Sequence, residues 1–287
     1  MSSERENLAT LLVSCPDRRG IVAALAQLLY GHGANILDSD QHSDPVLRQF
    51  FQRIRFDLSE LHTDRATLEH AIDEVAGRFG MQYRLCFAER SKRVALFVSR
   101  YDHCLYDLLL RHKAGELNCE LALIVSNHPD LANVAAQFGV PFHAFAISAE
   151  NKLEQEQKQL ELLESARVDL VVLARYMQIL TNDFVSRFPA RIINIHHSFL
   201  PAFVGGRPYH QAYERGVKLI GATAHYATAE LDEGPIIEQD VARVSHAMGP
   251  EELVRVGRDV ERVVLARAVR AHLQRRVFVE GRRTFVL

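Results

Sequence analysis

The chain has 287 residues, of which 48% are hydrophobic and 24% are charged, and its formal net charge is −2. This composition is typical of a globular protein, and the length allows two domains with separate cores. The near-neutral charge argues against nucleic acid or an anionic membrane as a partner. No apolar run reaches the roughly 18 residues of a membrane-spanning helix, and residues 1–7 lack a signal-peptide core. We therefore expect a cytoplasmic protein.

The four cysteines form no C-x-x-C pair, and their pattern resembles neither a disulfide framework nor a zinc knuckle. They are Cys15, Cys86, Cys104 and Cys119. We expect reduced, mostly buried thiols in a reducing compartment.

Residues 1–88 alternate between short apolar runs and helical spacing in the order β-α-β-β-α-β. Strands are predicted over residues 8–14, 35–42, 49–58 and 81–87, and helices over 21–32 and 63–77. This order is typical of a ferredoxin-like domain with its helices on one face of the sheet. The charged residues 89–93 then predict a linker.

Residues 93–287 follow a different rhythm, in which apolar strands alternate with helices. Strands are predicted over residues 94–98, 121–126, 142–147 and 168–174, with helices over 103–111, 130–138 and 152–165. The pattern predicts a Rossmann-like, mostly parallel sheet with helices on both faces. Residues 277–286 predict a terminal hairpin with Gly281 near its turn.

The segment from Ile192 to Pro201 combines strand character with polar side chains. Residues two apart on a strand face the same way, so Asn194 and His196 should project together while Ile193 and Ile195 enter the core. The carboxyl end of a parallel strand is where open α/β sheets bind ligands. Each polar residue also has a structural explanation by itself, as a core histidine or a turn asparagine.

The clustering of histidines in this region raises the alternative of a metal site. Its members are His196, His197, His210 and His225. Adjacent His196 and His197 should point to opposite faces of the strand, and no H-x-x-x-H spacing or cysteine pair supports a metal. We expect none.

A second polar segment, residues 221–239, predicts a strand, a loop and another strand. Asp232 lies in the loop, just before Gly234 and Pro235. A loop carboxylate is ordinarily a solvated cap, so Asp232 becomes a candidate only in combination with Asn194 and His196. His225 shares a face with Thr223, where it either supports the site or packs as a structural histidine.

The combined pattern resembles the folate-dependent formyltransferase fold. It consists of Asn-x-His, Ser-x-Leu-Pro and Leu-Asp-x-Gly-Pro-Ile-Ile-x-Gln within residues 194–239. That family includes glycinamide ribonucleotide formyltransferases, methionyl-tRNA formyltransferases and formyltetrahydrofolate deformylases. Residues 196–201 and 208–213 are most similar to the deformylases, as is an N-terminal domain that resembles the amino-acid-binding ACT module. The resemblance covers essentially the whole chain.

The resemblance implies an enzyme that hydrolyses 10-formyltetrahydrofolate, supplying formate for purine synthesis and balancing one-carbon pools. It implies a catalytic trio of Asn194, His196 and Asp232. It also implies two folate-binding loops, made by Met177, Gln178, Ile179 and Leu180 and by Ala227, Thr228, Ala229, Glu230 and Leu231. His197 and His225 are candidates for support behind the trio. We expect neither a metal nor another cofactor.

The implied ACT domain, residues 1–88, suggests regulation or oligomerisation of a catalytic domain at residues 93–287. In ACT modules the amino-acid ligand binds near the turn before the first helix. The matching residues are Asp17, Gly20 and Asn35. We expect an amino-acid effector there and a homo-oligomer, either a dimer or a tetramer; a domain that only oligomerises is the alternative.

The residue types of the trio suit attack on a formamide carbonyl. An amide N–H of Asn194 can stabilise the oxyanion, an interaction typically worth about 3 kcal/mol. An imidazole such as that of His196 transfers protons near neutral pH and can protonate the leaving N10. Asp232 can favour the imidazolium and position or activate a water molecule.

Water is the expected nucleophile because the sequence shows no amine-acceptor site. A ribonucleotide acceptor brings a phosphate, which glycine-rich turns commonly bind, yet the turn in residues 98–105 has no glycine. The related ribonucleotide transferase has a glycine-rich loop at the matching place. The tRNA enzyme carries a further RNA-binding domain, for which the residues after Gln239 are too few. Two alternatives remain open, a formyltransferase with an unidentified amine acceptor and a catalytically silent folate or amino-acid sensor.

Overall fold

The computed structural model describes residues 7–88, 90–200 and 208–287 of the chain. These residues fall into two compact units. The first unit comprises the chain up to Ser91 together with Arg275–Phe278 and Phe285–Leu287. The second unit comprises Lys92–Gln274 and Val279–Thr284. In the described ranges, no helix combines the length and the hydropathy needed to cross a membrane.

The first unit contains a four-stranded sheet and two helices in the predicted β-α-β-β-α-β order. Its elements are β1 (Leu8–Pro16), α1 (Ile21–Gly31), β2 (Asn35–Asp44), β3 (Gln49–Asp57), α2 (Arg65–Phe79) and β4 (Gln82–Phe87). The strands run in the order β2-β3-β1-β4, and β3 is antiparallel to both of its neighbours. The prediction of a ferredoxin-like domain is therefore confirmed.

Alternation along β1 and β3 and helical spacing along α1 and α2 bring one apolar face of each element together. The core contains Ala9, Leu11, Val13, Ile21, Leu25, Leu29, Ile54, Phe56, Leu68 and Ile72, all almost fully buried. Helix α2 begins where the Asp64 carboxylate accepts from the Thr67 amide (2.8 Å) and ends at Gly80, whose φ of 67° suits glycine.

The second unit is built on a seven-stranded sheet. Its strands are β5 (Lys92–Val98), β6 (Cys119–Ser126), β7 (Phe142–Ala144), β8 (Leu170–Leu173), β9 (Ile192–His196), β10 (Leu219–Tyr226) and β11 (Ile236–Arg243). They are arranged in the order β11-β10-β9-β8-β5-β6-β7. Strands β5 to β9 are parallel, and β10 is antiparallel to β9 and β11. The predicted mostly parallel sheet is confirmed.

Helices cover this sheet because its central strands are apolar on both faces. They are α3 (His103–Lys113), α4 (Ala132–Gln137), α5 (Lys152–Ser165), α6 (Asn182–Arg187), α7 (Pro208–Glu214) and α8 (Pro250–Leu273). On β5, Ala95 and Phe97 pack in one cluster with Leu163 of α5 and Phe184 of α6. Burying a side chain such as Phe97 completely stabilises the fold by about 2–3 kcal/mol.

The chain ends in a hairpin of β12 (Val277–Glu280) and β13 (Arg283–Val286), as predicted. Gly281 lies in its turn with a φ of 57°. Strand β7 stops at Ala144, earlier than predicted. Three helices were not predicted from the sequence, namely α6, α7 and the 24-residue α8.

Candidate active site

Strand β9 and its neighbour β10 position the first polar side chains. Asn194 and His196 lie on one face of β9, two residues apart. The antiparallel register with β10 places His225 directly across from Asn194 and Thr223 across from His196. The pairing therefore brings His225, a more distant residue in the chain, to the side of Asn194.

The loop between β10 and β11 brings in Asp232. Its φ of 57° is left-handed, a conformation that aspartate tolerates better than most residues. The loop is closed by a hydrogen bond from the Tyr226 amide to the Pro235 carbonyl (2.9 Å). A Cβ on Gly234 would lie 1.7 Å from the Tyr226 carbonyl oxygen, so only glycine allows this approach.

The predicted trio converges. Nδ1 of His196 lies 3.1 Å from one carboxylate oxygen of Asp232, and Nε2 of His225 lies 3.6 Å from the other. Asn194 Nδ2 is 3.1 Å from the same Nε2 of His225. The two segments of chain are thus joined in one hydrogen-bonded group.

The hydrogen bonds of His225 determine which of its ring nitrogens carries the proton. Its Nδ1 lies 3.0 Å from the Tyr226 carbonyl, which can only accept, so Nδ1 carries a proton. In the neutral ring Nε2 accepts an amide hydrogen from Asn194, and in the protonated ring it faces the Asp232 carboxylate as a charged donor. The other amide hydrogen of Asn194 is left for a ligand.

His196 has a free nitrogen in the site. Its side chain is only 6% exposed, and its Nε2 is buried with no hydrogen-bond partner among the described residues. Burial raises the pKa of Asp232, but hydrogen bonds and charge from His196 and His225 outweigh this effect and hold the pKa well below its usual range. An ionised carboxylate therefore faces Nδ1 of His196.

The trio opens into a pocket of about 290 Å³. Every residue of the two predicted folate loops lines it: Met177, Gln178, Ile179 and Leu180 on one side, and Ala227, Thr228, Ala229, Glu230 and Leu231 on the other. Met177, Ile179 and Leu231 are each more than half exposed, so apolar surface is available to a flat aromatic ligand.

Hydrogen bonds hold the loop at residues 177–180 at both ends. The Met177 amide donates to Ser99 Oγ (3.0 Å), whose hydroxyl donates to Asn127 (2.6 Å). At the other end, the hydroxyl and amide of Thr181 donate to the buried carboxylate of Glu156. The loop is therefore fixed before any ligand binds.

His197 also lines the pocket, which corrects the expectation that His196 and His197 face opposite ways. Their ring centroids are 5.2 Å apart. Strand β9 ends at His196, so strand alternation does not extend to the next residue. Burial, with the nearby charge of Arg175, lowers the pKa of His197 to about 3, and this ring is neutral near pH 7.

The neutral state of His197 predicts a loss of stability in acid. Because its pKa is about 3 when folded and about 6.5 when unfolded, the unfolded chain binds more protons between these values. The free energy of unfolding therefore decreases as the pH is lowered from about 7 towards 3. We expect His197→Asn to remove about 1–2 kcal/mol of the stability difference between about pH 7 and about pH 5.

Urea unfolding of the two proteins at both pH values measures this difference. His210→Asn is the matched control, because His210 is exposed on α7, and it should behave like the unsubstituted chain. An unchanged pH dependence in His197→Asn would show that His197 is not held neutral by the fold.

A buried polar cluster behind His197 was missed from the sequence. The Glu261 carboxylate accepts from Tyr209 Oη (2.5 Å), bonds His103 Nε2 (2.8 Å), and lies 3.5 Å from Arg175 Nε. Burial raises the pKa of Glu261, but His103 and Arg175 outweigh it and hold it below its usual range. Start signals for α8 exist in Pro250, Glu251 and Glu252, and would have placed Glu261 on a helix.

His103, Cys104 and Glu261 lie close enough for one cation, with ligand atoms within 4.8 Å of each other. His103 and Tyr209 already occupy the Glu261 carboxylate. Burial raises the pKa of the Cys104 thiol well above its usual value, and a protonated thiol is a poor metal ligand. We therefore interpret this cluster as a hydrogen-bond network.

The residues expected to bind an effector belong to the first unit. Asp17 is exposed in the turn after β1, and its amide donates to the Arg48 carbonyl (2.9 Å). Gly20 precedes α1 with a φ of 93°, and Asn35 is exposed at the start of β2.

Comparisons with known proteins identify relatives of the whole chain. The formyl transferase family model matches residues 92–269, and the ACT domain model matches residues 9–77. The formyltetrahydrofolate deformylase of Synechocystis sp. is 56% identical over 97% of this chain and 98% of its own length. That of Bacillus subtilis is 52% identical, over 98% and 94%.

A solved structure gives the same result. The crystal structure of a formyltetrahydrofolate deformylase from Pseudomonas syringae superposes with a TM-score of 0.93 and is 45% identical, over 98% of this chain and 94% of that one. The chain therefore belongs to the formyl transferase family, and within it to the formyltetrahydrofolate deformylases, in which an ACT domain accompanies the formyl transferase domain.

Proposed function

We propose that this chain hydrolyses 10-formyltetrahydrofolate to formate and tetrahydrofolate, with Asn194, His196 and Asp232 as its catalytic residues. The observation that carries the proposal is the 3.1 Å contact between His196 Nδ1 and Asp232, in a pocket lined by both folate loops. The kinship with deformylases over the whole chain supports the same reaction.

In the proposed complex, the pterin ring lies between the loops at residues 177–180 and 227–231. The formyl group then points to Asn194 and His196 at the base of the pocket. Apolar contact with Met177, Ile179 and Leu231 holds the ring, and the fixed loop keeps the carbonyl carbon in a reactive position. Pre-organisation of this kind favours the transition state over the ground state.

The reaction is one of addition and elimination. The oxygen of a water molecule bonds to the formyl carbon while one water proton passes to Nε2 of His196, whose Nδ1 faces the Asp232 carboxylate. The carbonyl oxygen becomes an oxyanion, which the free amide hydrogen of Asn194 stabilises. The bond from carbon to N10 then breaks, His196 Nε2 gives this proton to N10, and the formic acid that leaves loses its hydroxyl proton to solvent as formate.

Asp232 acts through its charge in this scheme. Its depressed pKa keeps it ionised near pH 7, so it favours the protonated form of the adjacent imidazole during the reaction. With Nδ1 of His196 bound to Asp232, Nε2 of the same ring is left without a partner among the described residues and can serve the substrate. The same arrangement recurs in other hydrolases that pair an imidazole with a carboxylate.

The remaining proposals concern the cellular compartment of the enzyme, its cofactors and the roles of its two domains. It works in the cytoplasm without a metal or other cofactor, since the proposed steps use only side chains and water. Residues 1–88 serve as a regulatory or oligomerisation domain of a dimer or tetramer, and residues 93–287 as the catalytic domain. An amino-acid effector binds at Asp17, Gly20 and Asn35, where an exposed turn and a strand start offer polar groups.

An assay without any amine acceptor tests the proposed function. The purified chain is incubated with 10-formyltetrahydrofolate alone, and formate and tetrahydrofolate are measured over many turnovers. We expect both products in equal amounts. Tight folate binding with no turnover would instead identify a sensor, and turnover that starts only when an amine is added would identify a transferase.

A further inference from the structure

A second cavity lies beside the catalytic pocket. It has a volume of about 690 Å³ and is lined by Ser99, Arg100, Tyr101, Asp102, Asn127, His128, Met177, Gln178 and Arg258. These residues follow β5, β6 and β8 or belong to α8, so the cavity is at the carboxyl edge of the parallel strands, where α/β proteins bind ligands. Met177 and Gln178 also line the catalytic pocket.

Arg175 and Tyr101 stack on each other, and each lines one of the two spaces. Arg175 lines the catalytic pocket, and its guanidinium carbon lies 4.9 Å from the centroid of the Tyr101 ring, which lines the second cavity. Arg258 lies over the same ring at 5.5 Å. An acceptor seated in the second cavity would therefore meet this stack before it reached the trio.

The structure holds Arg175 firmly in this place. The residue is only 7% exposed, and the buried Glu261, itself bound by Tyr209 and His103, lies against its Nε. Its φ of 65° is unusual for a residue other than glycine and strains the backbone there. A strained backbone and a charged side chain buried together indicate that arginine is needed there.

The guanidinium group of Arg175 can also discriminate chemically between water and an amine. Its Nε faces Glu261, whereas its Nη1 is buried without a hydrogen-bond partner among the described residues, so this second donor is left for a ligand. A water molecule has two lone pairs, one to accept from a donor and one to attack. A neutral amine has a single lone pair, which attack requires, and an ammonium ion has none and is repelled by the charge.

We infer that Arg175, stacked on Tyr101 and held by Glu261, is the residue that selects water over amine nucleophiles at the formyl carbon. The inference rests on the proposed hydrolysis. It explains why the catalytic trio here passes the formyl group to water and not to an amine. With the stack removed, an amine nitrogen bonds to the formyl carbon and loses a proton, the bond to N10 breaks, and N10 gains a proton.

The test replaces the residues of the stack and measures the ratio of formate to formylated amine among the products. Arg175→Gly suits the left-handed backbone, and Glu261→Gln in the same chain avoids leaving an unpaired buried charge. Each enzyme is incubated with 10-formyltetrahydrofolate, with and without glycinamide, at a pH near the pKa of the glycinamide amine so that neutral amine is present. Mass spectrometry measures formate and N-formylglycinamide. We expect formate alone from the unsubstituted chain.

In the double variant we expect N-formylglycinamide in about one tenth of turnovers, which corresponds to a difference of about 1.4 kcal/mol between the two transition states. Tyr101→Ala removes the ring without changing a buried charge and should also yield the amide. Tyr101→Phe keeps the ring and should yield none. Circular dichroism checks that each variant is folded.

Two results would overturn the inference. One is that both the double variant and Tyr101→Ala release formate without any N-formylglycinamide. The other is that the unsubstituted chain already forms as much of this amide as the variants. Neither result affects the hydrolysis itself, which fails only if the unsubstituted chain releases no formate when glycinamide is absent.

Discussion

Replacing Asp232 with asparagine is expected to lower kcat/KM for formate release by about 10³-fold, within the range typical of lost acid–base assistance. The amide is nearly the same size, so the loop and the pocket should keep their shape. What is lost is the negative charge that faces His196 Nδ1 at 3.1 Å. Initial rates of formate release at saturating and limiting substrate measure the effect.

Asp130→Asn is the control for this substitution, because Asp130 is an exposed loop aspartate that does not line the pocket. Its rates should match those of the unsubstituted chain. Near-normal turnover in Asp232→Asn would remove Asp232 from the mechanism, whatever its distance from the imidazole.

Replacing Asn194 with alanine is expected to lower kcat by about 10²–10³-fold, the usual cost of removing one oxyanion donor. KM should change little, because the charge on the carbonyl oxygen develops only in the transition state. The substitution also removes the hydrogen bond to His225 Nε2, so part of the loss reflects a displaced ring. Steady-state kinetics with 10-formyltetrahydrofolate separates kcat from KM.

Asn182→Ala provides the comparison, since Asn182 is exposed at the start of α6 and does not line the pocket. A large rise in KM with an unchanged kcat in Asn194→Ala would show that Asn194 binds the substrate equally in ground and transition states. That outcome would contradict its role as an oxyanion donor.

The sequence contained enough to predict the fold and the first pair of site residues. Runs such as residues 94–98 and 168–174 are apolar on both faces, which only a covered parallel strand requires. The spacing of Asn194 and His196 is a local property of a strand, and it held in the structure. The place of Asp232 in the pocket came from the resemblance, since a lone loop aspartate carries no such signal.

What could not be predicted depends on tertiary packing. His225 joins Asn194 through the register of β9 and β10, and sequence alone does not specify a register between strands so far apart. The contact between Arg175 and Glu261 brings together residues of a loop and a helix. Charged side chains are usually exposed, so neither residue was expected in a buried network.

The most direct test of the proposed active site is a crystal structure of the Asp232→Asn variant with 10-formyltetrahydrofolate bound. Because turnover is slow in this variant, the substrate should remain intact. We predict the formyl oxygen within about 3 Å of Asn194 Nδ2, with the pterin between residues 177–180 and 227–231. A formyl group directed away from Asn194 and His196, or a pterin outside these two loops, would contradict the account.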